Sequence, residues 1–425
     1  MWQKLSLVWK IPDVRNKILF VLGILFIFRV AAHIPVPGVN LTALKNFFES
    51  NQFLGLLNVF SGGGYDTFSV IMLGVGPYIT ASIIFQLLTM IVPALEKLQK
   101  EGEQGQEKIN QWTRYLAVPL AALQGYGTIT LIRRSSAAIL PNLTTFQFAT
   151  VIITITAGTI FLMWLGELIS EKKIGNGISL MIFAGIVSRI PSEIQQTLAV
   201  YDSSQLVQTL VFVGVGLVTI LGVVFVTEAV RKVPVSYARR VRGNQMVGGA
   251  DTFLPLRVNQ AGVIPIIFAI SLVLMPSLVA QFFVNSHIGW LQNLAASTLT
   301  LFQSGGWVYD SLYFLLVFAF TYFYTAVVFQ PNQIAENLQK QGGFIPGIRP
   351  GRQTADYLGY VTNRIMLAGA LFLGVIAILP NLVQRFTNVT TLIVGGTSLL
   401  IVVSVVIETV KQVEAQLIVR DYEGF

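Results

Sequence analysis

The chain is divided into apolar runs of about 20 residues, the length an α-helix needs to cross a bilayer core. They fall at about Ile18–Val36, Phe68–Pro93, Tyr115–Ile132, Phe146–Ile169, Ile178–Val200, Leu206–Val226, Val263–Val284, Leu312–Phe329, Ile365–Leu382 and Leu392–Ile407. In lipid a backbone N–H or C=O finds no water, so each span must satisfy its own hydrogen bonds, which a helix does most simply. The expectation is an all-α membrane protein of ten transmembrane helices. Composition agrees: apolar residues make up 54% and charged residues 11%, against about 25% charged in soluble domains. So little charge cannot cover a water-facing surface. Lys4, Lys10, Arg15 and Lys17 precede the first run like the basic end of a secretory signal, but Pro35-Val36-Pro37-Gly38 is a poor cleavage site. The run is therefore read as a retained helix.

Ten spans put both termini on one side, taken as cytoplasmic. Most of the 28 Lys and Arg residues then fall on that side. Lys97, Lys100, Lys108 and Arg114 follow the second span. Arg231, Lys232, Arg239, Arg240, Arg242 and Arg257 lie between the sixth and seventh. Lys340, Arg349, Arg352 and Arg364 lie between the eighth and ninth. The opposite side holds Lys45, Arg133, Arg134, Arg189 and Arg385. This asymmetry follows the positive-inside bias and accounts for a net charge of +8 without nucleic-acid reading. Five spans in each half, residues 1–203 and 204–425, start the second half on the opposite side, as inverted repeats require.

The spans carry little ionisable chemistry. Arg29, Glu167, Glu228 and Glu408 lie within or near them, mostly close to the ends. Ion-coupled carriers usually keep such groups near the midplane. There are no cysteines, which removes disulfides and thiolate sites. His33 and His287 read as interfacial residues, and Gly395-Gly396-Thr397-Ser398 lacks the lysine and spacing of a phosphate loop. No nucleophile, carboxylate pair or cofactor motif emerges, so the chain is not expected to be an enzyme. Any energy it uses must come from a partner.

Three features could do work. Leu54–Asp66 has helical spacing, is too short to span, and is broken by Gly62, Gly63 and Gly64. It is either a movable plug buried in protein or an interfacial loop. Two long arginine-bearing loops, at about 230–257 and 331–364, suit docking of a cytosolic partner, since Arg presents a planar fork to carboxylate or phosphate. They equally suit orientation and contact with anionic lipid heads. Thr80, Ser82, Gln86 and Thr89 in the second span, with Asn259 and Gln260 before the seventh, read either as interhelical hydrogen-bonding glue or as a seam that parts.

The motifs resemble one family. Ile34-Pro35-Val36-Pro37-Gly38, Phe60-Ser61-Gly62-Gly63 and Gly76-Pro77-Tyr78-Ile79-Thr80-Ala81-Ser82 occur in order. Phe161-Leu162-Met163-Trp164-Leu165-Gly166-Glu167 then precedes Gly175-Asn176-Gly177-Ile178-Ser179. Leu254-Pro255-Leu256-Arg257-Val258-Asn259, Ala261-Gly262-Val263-Ile264-Pro265, Pro346-Gly347-Ile348-Arg349-Pro350-Gly351 and Gly395-Gly396-Thr397-Ser398-Leu399-Leu400 complete a set in register. The chain is similar, from about Ile18 to Ile407, to the SecY/Sec61-alpha family of protein-conducting channels.

The resemblance implies an hourglass channel of two five-helix halves that translocates unfolded secretory chains and releases transmembrane segments sideways. Its pore ring would be Val75, Ile79, Ile178, Ile182, Ile267 and Ile401. The two pairs spaced i,i+4 would each present one face. The plug would be about Leu57–Thr67, in which Leu57, Asn58, Val59, Phe60 and Ser61 lead into Gly62, Gly63 and Gly64. A lateral gate would lie between the second and seventh helices at Thr80, Ser82, Gln86 and Asn259. Arg239, Arg240, Arg242, Arg349 and Arg352 would dock partners: a SecA-type ATPase or the ribosome, beside SecE and SecG subunits, signal peptides and lipid. The setting would be a bacterial inner or thylakoid membrane. The family's basic pair in the loop between helices six and seven is Asn244 and Gln245 here, which makes Arg349 the firmer docking residue. A ten-helix carrier of small molecules is the alternative, and a membrane scaffold without a pore a second one. Polar groups around a small midplane cavity would mark the carrier.

Overall fold

The computed structural model describes residues 9–36, 39, 44, 63–65, 67–134, 144–199, 206–237, 240–242, 245–247, 251–284, 288–302, 306–387 and 396–423. The helices are α1 (Pro12–Ala32), α2 (Gly76–Ile91), α3 (Pro93–Lys100), α4 (Glu103–Arg134), α5 (Thr145–Glu171), α6 (Gly177–Ala199) and α7 (Leu206–Glu228). After strands β1 (Val230–Tyr237), β2 (Arg240–Arg242), β3 (Gln245–Val247) and β4 (Asp251–Arg257) come α8 (Ile264–Phe283), α9 (Gly289–Leu301), α10 (Trp307–Val328) and α11 (Pro331–Lys340). Strand β5 (Gly343–Phe344), α12 (Arg352–Thr387) and α13 (Gly396–Glu423) follow. Each apolar run overlaps one of these helices. By length and composition alone, three stretches among the described residues could cross a membrane: Thr145–Glu171, Trp307–Lys340 and Arg352–Val383. The α2–α3 pair, bent by 101°, would be a fourth.

Local chemistry sets the helix starts. Proline sits in the first turn of α1, α2, α3, α8 and α11, where its missing N–H and fixed φ cost nothing. Thr144 and Gln147 form a capping box before α5: Thr144 Oγ1 accepts from the Gln147 N–H at 3.3 Å, and Gln147 Oε1 accepts from the Thr144 N–H at 3.0 Å.

The N-terminal helices α1–α6 pack chiefly on one another, as do α7–α13. The groups meet substantially where α6 faces α13, and more lightly where α2 faces α8. Between them lies one large buried aliphatic cluster, drawing on Ile24 and Phe28 of α1, Ile186 of α6, Ile270 of α8, Tyr313 of α10 and Leu373 of α12. The helix expected from Phe68 starts only at Gly76. Residues 67–75 are instead a buried, non-helical segment, with Phe68 at φ 46° and Gly74 at φ 59°. It packs so tightly on α5 that a Cβ at Gly158 would lie 2.1 Å from the Val70 carbonyl oxygen.

The all-α expectation needs one correction. The two long arginine-bearing loops are not separate loops: they build a sheet in the order β4–β1–β5. β1 pairs antiparallel with β4 from Val230↔Arg257 to Ser236↔Asp251, and with β5 at Ser236↔Phe344 and Tyr237↔Gly343. Val233, Val235 and Leu256 meet Leu338 of α11, Ile345 and Leu358 of α12 in a hydrophobic core separate from the central one. The cause is strand alternation: Val233 and Val235 face inward while Lys232 and Pro234 face out. β2 and β3 form a second, two-stranded hairpin.

A polar clamp ties α10 to α12. The Asp310 side chain, 5% exposed, accepts from Arg385 Nη2 at 2.6 Å and from Asn381 Nδ2 at 2.5 Å. The Arg385 guanidinium also lies 4.4 Å from the Trp307 ring centroid. Removing one partner strands the other charge in a poorly hydrated place. Asp310→Ala is therefore expected to destabilise the protein by about 3–5 kcal/mol, read as a lowered unfolding midpoint in detergent. Asp310→Asn, which keeps the shape, should lose less. Equal midpoints for wild type and Asp310→Ala would refute the clamp.

Candidate functional site

The expected ring residues come from three helix starts and one helix interior. Val75 is the residue before α2, and Ile79 lies one turn later. Ile178 and Ile182 are one turn apart in α6, Ile267 is in the first turn of α8, and Ile401 is in α13. Val75, Ile79, Ile182, Ile267 and Ile401 are all buried in the central cluster, and Ile178 packs against it. A close α5–α6 approach positions the α6 pair. A Cβ at Gly177 would lie 1.8 Å from the Gly166 carbonyl oxygen, and one at Gly166 would lie 2.7 Å from Ile178 Cδ1. Gly177 is thus required by a backbone approach, while at Gly166 the ends of Ile178 and Met181 would have to shift. These side chains are aliphatic and offer no hydrogen bonds, so the place that the ring residues occupy holds water and ions poorly.

Of the segment expected as a plug, Leu57, Asn58, Val59, Phe60, Ser61 and Gly62 lie outside the described residues. Gly63, at φ 88°, and Gly64 are described. Just after them Tyr65 is fully buried, and Thr67 Oγ1 donates to the Ala32 carbonyl at 2.7 Å. Val36 and Phe68, then Val70 and Ile34, are joined by backbone bonds of 2.9 and 3.0 Å. The C-terminal root of the segment is therefore fastened to the end of α1.

The polar residues of α2 bond within their own helix. Thr80 Oγ1 donates to the Gly76 carbonyl at 3.1 Å, Gln86 Nε2 to Ser82 Oγ at 3.3 Å, and Thr89 Oγ1 to the Gln86 carbonyl at 2.8 Å. Asn259 Nδ2 donates to the Gly262 carbonyl at 3.2 Å, in a turn where Gly262 takes φ 64°. Among the described residues, Gln86 Oε1, Asn259 Oδ1 and Gln260 Oε1 are buried without hydrogen-bond partners. The hydrogen bonds described for these residues are thus local and not interhelical, and the three buried acceptors stay unfilled, which is costly in a dry setting.

The other meeting of the halves is bonded. Gln416 of α13 accepts from Lys17 Nζ of α1 at 3.3 Å, and its Nε2 donates to the Lys172 and Lys173 carbonyls at 3.2 and 2.6 Å. Those carbonyls belong to the α5–α6 turn, where Lys173 takes φ 57°. Val14 of α1 and Leu417 of α13 are buried against each other alongside. Sequence reasoning did not find Gln416, because its partners are 243 to 399 residues away. Of the carboxylates noted near span ends, Glu167 pairs with Arg114 at 2.6 Å and Glu228 with Lys411 at 2.7 Å, while Glu408 accepts from Gln412 Nε2 at 3.3 Å, each within its own half.

Arg349 is exposed at the tip of the sheet block. Gly347 at φ 81° and Gly351 at φ 99° make conformations that only glycine adopts easily. The turn is held by Ile348 N–H to the Ile345 carbonyl at 3.0 Å and by Thr354 Oγ1 to the Arg349 carbonyl at 2.9 Å. Arg352 is the exposed first residue of α12. Arg240 and Arg242 lie on β2, and Arg239 lies outside the described residues.

Known proteins match this chain along most of its length. A family model described as SecY matches residues 69–410. Relatives named "Protein translocase subunit SecY" from Mycobacterium bovis and Thermotoga maritima are each 45% identical; the first covers 97% of this chain and 97% of the relative, the second 100% and 98%. Among solved structures, "The structure of a protein conducting channel" aligns with TM-score 0.60 at 18% identity, over 94% of this chain and 91% of that one. "Sec61 in the Canine ribosome-channel complex from the endoplasmic reticulum" aligns with TM-score 0.58 at 17% identity, over the same shares. The structural likeness carries the fold; the sequence match, running from the buried 67–75 segment into α13 at this identity, makes the chain a member of the SecY family.

Proposed function

We propose that this chain is the pore subunit of a protein-export channel, which passes unfolded polypeptides across the membrane and lets apolar segments leave sideways into lipid. One observation carries the reading: Val75, Ile79, Ile182, Ile267 and Ile401, from both helix groups, share a single buried aliphatic cluster. A site that must pass any sequence cannot rely on specific side-chain bonds. An aliphatic collar holds an extended backbone weakly, yields to bulky residues and seals by dewetting when idle. A small-molecule carrier would need polar groups converging at that place, whereas the six expected ring positions are all aliphatic.

The finer reading follows. Ten spans cross a bacterial inner or thylakoid membrane with both termini cytoplasmic, in two inverted halves, 1–203 and 204–425. Leu57–Thr67 plugs the outer funnel, and the fastening of Thr67 to α1 supports a hinge at its root. The gate runs between α2 and α8, where Thr80, Ser82, Gln86 and Asn259 lie. With no nucleotide motif in the chain, work comes from a partner on the sheet block: a SecA-type ATPase or a ribosome. One of the solved relatives, canine Sec61, belongs to a ribosome-channel complex, which supports the second. SecE and SecG are the expected companion subunits.

The test is site-specific photocrosslinking. A probe at Ile79 should capture a stalled secretory chain, while a probe at the exposed Phe26 of α1 should not. Capture at neither position, with translocation otherwise normal, would overturn the path through the cluster.

A further inference from the structure

Helix α9 has no part in the conducting site, yet its surface is unusual. At 13 residues and about 1.5 Å per residue it is too short to cross a core of about 30 Å. It packs along α8, and its Ala295 is buried. A second face is apolar and open: Trp290, Leu294 and Leu301 are 66%, 58% and 51% exposed. At about 100° per residue these three fall within an arc of roughly 40°, so they form one stripe. The exposed Gln292, Asn293 and Thr300 lie off it. The helix carries no charged residue.

Three occupants could cover such a stripe: water, a protein or lipid. Exposed apolar stripes in water are rare outside interaction sites. The preceding helix decides among them. α8 shows its own exposed apolar line, Leu272, Met275, Val279 and Phe283, at helical spacing on a helix apolar along its length. That line leads toward the start of α9 along the chain. Tryptophan is the residue most at home where acyl chains meet headgroups. A short amphipathic helix beside a span, with tryptophan on its apolar face, fits the interface plane.

We propose that α9 is an interfacial anchor: its Trp290–Leu294–Leu301 stripe lies in the bilayer just beneath the headgroups at that end of the molecule. With no charge on the helix, the partner is the lipid surface itself, without selectivity for anionic headgroups. The anchor sets the depth at which α8 leaves the bilayer, since the two helices are packed together and joined by a short connection.

The native chain has no cysteine, so single cysteines are specific. Leu294→Cys, Leu301→Cys, Asn293→Cys and Thr300→Cys, each bearing an environment-sensitive fluorophore, would be reconstituted in phosphatidylcholine–phosphatidylethanolamine vesicles. Labels at 294 and 301 should be quenched by lipids carrying a shallow nitroxide and be several-fold less accessible to iodide than labels at 293 and 300. Adding phosphatidylglycerol should leave this unchanged. Two stripe positions keep the test open if one variant fails to assemble. Equal iodide access at all four positions would overturn the proposal. So would shielding at 294 and 301 from both quenchers, which marks a protein cover, or lipid quenching that needs phosphatidylglycerol.

Discussion

Arg349→Glu is expected to slow ATPase-driven export by about tenfold to a hundredfold while leaving the channel folded and inserted. The magnitude follows from losing one charged hydrogen bond at a docking contact, roughly 1.5–3 kcal/mol. Its position makes the residue suited to such a contact. Ile345 is buried in the core of the sheet block behind it, β5 is paired to β1, and the turn is locked by Gly347, Gly351 and the Thr354 hydroxyl. The guanidinium is therefore presented on a stiff mount, and little ordering entropy is lost when a partner engages it. The same exposure means that reversing the charge removes almost nothing from stability. Arg240→Glu and Arg242→Glu, on the small β2–β3 hairpin, should show smaller and shared effects. Inverted membrane vesicles with a SecA-type ATPase, ATP and a secretory protein provide the assay. Normal translocation by Arg349→Glu vesicles would remove the docking role from this turn.

The second large effect concerns the idle seal. Ile79→Ser with Ile267→Ser should raise the resting ion conductance of the channel in planar bilayers several-fold, and more with Leu57–Thr67 deleted. Two hydroxyls in the central cluster give water something to bond to, which removes the dewetting barrier. The substitutions also leave space, and large-to-small changes in a packed core cost about 2–5 kcal/mol each. Melting of the variants must therefore be measured beside conductance. Ile79→Val with Ile267→Val is the control: it loses volume without gaining polarity and should stay tight. Resting conductance unchanged in the serine pair, plug deleted, would show that these residues are not the barrier.

The spans were legible because lipid leaves the backbone so few options; a 20-residue apolar run such as Phe146–Ile169 has little to become except a helix like α5. What lay between the runs was harder. The β1 alternation of Val233 and Val235 was there to read, but its strand partners lie far along the chain, β4 beyond an arginine-rich stretch and β5 beyond four further helices. Nothing local says that two distant loops share one core. The early start expected for the second span failed on conformation: Gly74 takes a positive φ and Pro77 opens the helix, so apolar content ran ahead of helix. Asp310 was passed over because its partners are 71 and 75 residues away. The collar was named from family resemblance. Sequence alone offered only the one-turn spacing within α2 and α6, since convergence with α8 and α13 is a tertiary fact.

The two meetings of the helix groups have an unequal chemistry with a mechanical consequence. Parting α13 from α1 and the α5–α6 turn breaks the three bonds of Gln416, each contributing about 1 kcal/mol. The side-chain bonds of Thr80, Gln86 and Asn259 are local, so none of them joins α2 to α8. The α13 contact is thus held by polar bonds as well as packing, while the α2–α8 contact rests on apolar packing such as that of Ile79 and Ile267. For the gate proposed between α2 and α8, the consequence is that opening would be resisted by apolar packing and not by side-chain bonds across the edge, so an apolar segment entering there could replace in kind the contacts that opening removes.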